Sequence, residues 1–184
     1  MSPLTDGERS RIEEYLAEAG DRVLHATKVL TPAQMTFRPR HDRWSIAENV
    51  EHLTIVDRLV LGQIVEILST GATFKESAWK GQDDALLERV RGREPAIKAP
   101  EIISPRGQAD REQILNGFDS GRRHLSEFVK NTQAPLRSYC FPHPIFGDLD
   151  CYQWLLCSGA HYERHLEQIN EVLNAAEFPS VESL

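Results

Sequence analysis

Cysteine is scarce in this chain of 184 residues, which contains only Cys140, Cys151 and Cys157. An odd, sparse set with no CxxC pair does not make a disulfide framework. Free thiols in a reducing, cytoplasmic compartment are therefore expected. Long apolar runs are missing too, since no stretch approaches the roughly 18–20 residues of a membrane span. Positive charge is in deficit, with 21 Lys and Arg against 28 Asp and Glu, a net charge of -7. Such a chain lacks the basic stripe that neutralises phosphates, so no nucleic-acid partner is expected. The first residues, Met1-Ser2-Pro3-Leu4-Thr5-Asp6-Gly7-Glu8, have neither a basic start nor an apolar core, and no secretion signal is expected. Internal repeats, low-complexity tracts and a β-hairpin signal are also absent from the pattern.

What is present is ordinary for a globular protein: 40% hydrophobic and 27% charged residues. The length suits one domain over residues 1–184 with a substantial core. Four stretches carry helical periodicity. The first covers about 5–30, with Ile12, Leu16, Ala19, Val23, Ala26 and Leu30 on one face. Thr31-Pro32 then offers a cap followed by proline at a first helical position. The second helix begins at Ser45, where Ser45-Ile46-Ala47-Glu48 fits a capping box, and stops near Gly71. From about 71 to 107 glycine and proline break the pattern, leaving room for a short helix at 83–90. A connection that long is a crossover or a functional loop, and in a bundle it would let the second and third helices run parallel. The third helix is expected over about 109–130 and the fourth over about 149–175. The fold class is therefore all-α, a four-helix bundle.

The fourth helix carries His161-Tyr162-Glu163-Arg164-His165. Histidines at i and i+4 share a helix face. Cys157, His161, His165 and Ile169 form one stripe that is otherwise apolar, so both imidazoles are expected to point inward. Two buried imidazoles need partners, either core hydrogen bonds or a shared metal ion. His52 on the second helix supplies the third nitrogen, because bundle metal sites draw ligands from facing helices. Three neutral imidazoles leave coordination positions open, as in catalytic sites. Nitrogen ligation suits zinc, nickel, iron or copper. The motif is not HExxH: Glu163 points some 200° away from His161 around the helix and is expected in a surface ion pair.

Further candidates have two readings each. His143 either reaches the open metal position or orients substrate, or it braces its loop between Pro142 and Pro144. Glu48 either accepts from His52 or only closes the capping box. Cys157 is either a fourth ligand or a small buried hydrophobe. Trp44, Trp154, Phe118 and Phe146 read as packing. Arg38, Arg40, Arg43 and Lys98 lie in loops that could converge on carboxylates of a thiol cofactor.

Arg38-Pro39 followed by Trp44-Ser45-Ile46-Ala47-Glu48-Asn49-Val50-Glu51-His52-Leu53 is a first signature. Lys98-Ala99-Pro100-Glu101, with Pro105 and Gly107, is a second. His143-Pro144-Ile145-Phe146-Gly147-Asp148-Leu149, then Trp154-Leu155 and the segment from His161 to Ile169, closes the set. In this order, over nearly the whole chain, the set resembles the DinB-like superfamily of bacterial four-helix bundles. The resemblance implies an up-down-down-up bundle, homodimers, and a metal site at His52, His161 and His165. It also implies enzymes that use low-molecular-weight thiols, among them S-transferases. Two functions stay open on the sequence: a metal-dependent transferase or hydrolase acting on a small molecule, and a metal-binding or sensing protein without turnover.

Overall fold

In the computed structural model, residues 2–71, 76–92 and 99–180 are described. Among these residues six α-helices form: α1 (Asp6–Thr27), α2 (Pro32–Thr36), α3 (Ile46–Thr70), α4 (Asp83–Arg91), α5 (Arg111–Asn131) and α6 (Cys151–Leu173). The N-termini of α1, α2, α3, α5 and α6 are each closed by a capping box, with Thr5, Thr31, Ser45, Asp110 and Asp150 as caps. Each box satisfies amide donors that the helix cannot pair internally. Pro32 opens α2 directly after its threonine cap, and α3 stops at Gly71 in the left-handed conformation. The first helix is shorter than its periodicity suggests, because Lys28 already caps it.

The four long helices set the frame: α1 packs on α5 and α6, and α3 packs on the same two from the other side. Directions follow from which residues meet. Arg9 donates to the Val129 and Thr132 carbonyls, so the start of α1 meets the end of α5. Glu8 and Asp150 share Arg137, so α1 and α6 start side by side. Asn49 meets His165 and Asp57 meets Tyr162, which makes α3 and α6 antiparallel. Thr54 lies against Gly117 and Asp57 against Gly121, so α3 and α5 are parallel. The bundle is up-down-down-up. Within the crossover, α4 buries Leu86, Leu87 and Val90 and lies along α6.

One element departs from the sequence reading. Residues Cys140–His143 and Gly147–Asp150 form a two-stranded antiparallel hairpin, with Cys140 opposite Asp150 and His143 opposite Gly147. Leu149 thus belongs to a strand, and α6 begins two residues later. Strands this short, with Pro142 inside one, carry no alternation that a sequence pattern can register.

Candidate metal centre

The capping box at Ser45 fixes where α3 begins, and with it the height at which His52 faces α6. There His52, 3% exposed, meets His161 and His165. The His52 and His161 Nε2 atoms are 3.3 Å apart, and those of His161 and His165 are 3.0 Å apart. Three imidazole nitrogens at about 2.0–2.1 Å from a tetrahedral ion would lie about 3.3 Å from one another.

The opposite ring edges decide the tautomers. His52 Nδ1 donates to the Ile103 carbonyl at 2.6 Å, since a carbonyl only accepts. Asn49 donates through Nδ2 to the Ser45 carbonyl at 2.8 Å, so its Oδ1 faces His165 Nδ1, also at 2.8 Å. Gln168 Nε2 lies farther from that nitrogen, at 3.3 Å. Both Nδ1 atoms therefore carry the proton, and the Nε2 atoms of His52 and His165 present bare lone pairs. His161 Nε2 carries at most one proton, so it can donate to only one of the two. A divalent cation satisfies all three at once, so the donor set fits a transition metal. Burial, opposed by the Ile103 bond, lowers the pKa of His52 below the ordinary histidine value. Burial, then the charges of His52, Arg164 and His143, lowers that of His161 well below it. His52 and His161 are thus kept in the neutral form that a metal ion requires.

Trp44 lies over this centre, its ring 4.9 Å from that of His52 and 6.0 Å from that of His165. It is packing, as expected, but the packing is against two of the candidate ligands themselves. Next to His161, Tyr162 points into the core and donates to Asp57 Oδ2 at 2.5 Å. Asp57 is 2% exposed, its Oδ1 has no partner among the described residues, and burial pushes its carboxyl up to about 8.

The other candidates fall elsewhere. Glu48 accepts from Arg38 Nε at 2.8 Å and from the Ser45 amide at 2.9 Å, while His52 has Ile103 as its acceptor. Cys157 is buried outside the convergent trio, its thiol pushed up to about 12 by burial. Glu163 turns away, as its helical angle requires, accepting from Tyr15 at 2.6 Å and pairing with Arg91 and Arg22 at 2.7 and 3.0 Å. Arg38, Arg40 and Arg43 are engaged by Glu48, Asp42 and Glu171, and Lys98 lies outside the described residues. His143 sits in the hairpin, its Nδ1 accepting from the Ile145 amide at 3.1 Å and the Phe146 amide at 3.4 Å. Asn49 and Ile103 were missed by the sequence reading. Asn49 carries no signal that sets it apart from other polar residues of an amphipathic helix, and a backbone carbonyl leaves none at all.

Comparison with known proteins agrees with this fold. The family model of the DinB superfamily matches residues 15–169. The Bacillus subtilis (strain 168) protein YuaE, described as uncharacterized, is 26% identical over 146 residues, covering 79% of this chain and 86% of YuaE. The four-helix bundle protein TT2238 superposes with a TM-score of 0.54 at 20% identity, over 89% of this chain and 98% of its own. Bacillus subtilis YfiT, described as a probable metal-dependent hydrolase with an unusual four-helix bundle topology, gives a TM-score of 0.58 at 15% identity. That likeness covers 92% of this chain and 87% of YfiT. With a match over most of its length, the chain belongs to the DinB superfamily.

Proposed function

We propose that this protein is a metal-dependent enzyme that holds one divalent transition metal, such as zinc, nickel or iron, through His52, His161 and His165 and acts on a small molecule. The observation that carries this reading is the convergence of the His52 and His165 Nε2 atoms on that of His161, at 3.3 and 3.0 Å, with the Nδ1 edges of His52 and His165 turned to the Ile103 carbonyl and the Asn49 side-chain oxygen. When bound, the metal supplies Lewis acidity that lowers the pKa of a thiol or water beside it. The protein's own residues do the rest. Ile103 and Asn49 hold the ligand rings in the productive tautomer, and Trp44 seals one side of them.

Within that class, transfer of a low-molecular-weight thiol to an electrophile is the finer reading. Water attack profits from a general base, and Glu163, the acid nearest in the motif, is bound by Tyr15, Arg91 and Arg22. A thiol whose pKa has been lowered needs no such base. Hydrolysis is the second reading, favoured by the description of YfiT. Metal analysis of the purified protein tests the centre, with about one transition metal per chain expected and His161→Ala abolishing stoichiometric uptake. Undiminished uptake by that variant would overturn the site. A screen of electrophiles with several small thiols, and of esters and amides without them, then separates transferase, hydrolase and a metal-binding protein without turnover.

A further inference from the structure

The hairpin brings a second polar group to the side of α6 that carries the metal centre. Trp154 precedes His161 by seven residues, two helical turns or about 10 Å along the axis. His143 packs on it, ring centroids 4.7 Å apart, and on Phe146 at the same 4.7 Å. Its Nδ1 accepts two backbone amides of the turn, so the proton sits on Nε2, at the opposite edge of the ring. That Nε2–H makes no hydrogen bond among the described residues. Nor is it sealed in, because the buried polar atoms without partners among those residues are Asp57 Oδ1, Arg111 Nε and Ser158 Oγ. Burial holds the ring neutral, with a pKa of about 4, and its charge would be felt at His161. The hairpin and the crossover each expose one apolar side chain near these groups: Ile145, two residues from His143, and Ile102, next to the Ile103 carbonyl.

We propose that His143 donates its Nε2–H to an oxygen of the substrate bound at the open face of the three-histidine centre. The substrate class is a small electrophile with a carbonyl-type oxygen and an apolar body. This rests on the metal-enzyme reading above. No proton is transferred: a neutral imidazole with its Nδ1 engaged stabilises negative charge developing on that oxygen by a fixed hydrogen bond. Trp154 and Phe146 position the ring.

Two substitutions separate the donor from the brace. His143→Asn places an oxygen where Nδ1 stood and preserves the turn but has no donor at the Nε2 position; His143→Gln extends an amide N–H to that position. Zinc uptake is measured first for wild type and both variants, with melting as the control for folding. Acetohydroxamate, an oxygen ligand for zinc, is then titrated calorimetrically into each zinc-loaded protein. Zinc stoichiometry is expected to be equal in all three. The probe should bind His143→Gln within about three-fold of wild type and His143→Asn about ten-fold or more weaker, the range for a bond to a charged acceptor. Equal binding by His143→Asn and wild type overturns the donor role, and so does equal weakening in both variants. Failure of the zinc-loaded wild type to bind the probe overturns the open face. Failure of the wild type to take up zinc is a different result, and it overturns the metal-enzyme reading instead.

Discussion

Replacing Asp57 by Asn should stabilise the protein more and more as pH rises. The carboxyl is 2% exposed, has Tyr162 as its hydrogen-bond partner, and is raised by burial from 3.8 to about 8. Folding at neutral pH must therefore take up a proton that the unfolded chain does not hold. The folded pKa lies above the unfolded one, so the penalty is absent below about pH 4, grows through the interval, and is complete above about pH 8. A shift of roughly four units at about 1.36 kcal/mol each sets a ceiling of about 5–6 kcal/mol. Between about pH 5 and pH 7 the slope of one proton amounts to about 2.7 kcal/mol. Asn keeps an oxygen for the Tyr162 hydroxyl and does not titrate. Urea unfolding of metal-free wild type and Asp57→Asn at about pH 5, 6 and 7 isolates the effect, because every other titrating group cancels in the difference. The variant should gain on wild type by about 2–3 kcal/mol over that span, or some 5–10 °C in melting temperature. A gap that stays flat with pH would refute the protonated, buried carboxyl and the argument built on it.

Other perturbations act at separate points. Asn49→Leu removes the acceptor for His165 and should weaken metal binding about 10–100-fold in competition with a chelator, leaving helix content intact; unaltered affinity would dismiss the positioning role. Ser45→Ala removes the cap of α3 and should lower stability by about 1 kcal/mol in urea. Gly159→Ala brings a Cβ to 2.7 Å from the Tyr15 ring, which Glu163 and Arg91 hold in place, and should destabilise by about 1–3 kcal/mol. Chelation should lower the melting temperature by mass action while circular dichroism stays helical; collapse to a random coil would make the metal a structural staple.

Periodicity and caps carried most of the fold. Ser45 with Glu48 and Thr31 with Pro32 marked helix starts that the structure contains, and the apolar stripe through His161 and His165 indicated the side that meets α3. The convergence of His52, His161 and His165 was legible because histidine is a distinctive residue at helical spacing on an otherwise apolar face. The hairpin was not, because its strands are four residues each and are held by pairing with each other rather than by a patterned face. The acceptors behind the ligands were hidden for different reasons. Asn49 looks like any polar residue in an amphipathic helix, and Glu48, the more conspicuous acid, is taken up by Arg38 and the cap.

The Ile103 carbonyl has an evolutionary consequence. Every amino acid supplies a carbonyl, so no point substitution at position 103 deletes the acceptor that orients His52. What the His52 ring depends on is the path of the backbone, which the carboxylate of Glu51 secures by accepting the Arg106 and Gly107 amides at 3.1 and 2.9 Å. The side chains of Glu101, Ile102 and Ile103 are thereby free to diverge and reshape whatever meets the mouth of the centre. Insertions or deletions between Pro100 and Gly107 are the changes that would dislodge the ligand. If the centre acts as proposed, relatives that differ in substrate should vary here in residue identity and agree in segment length.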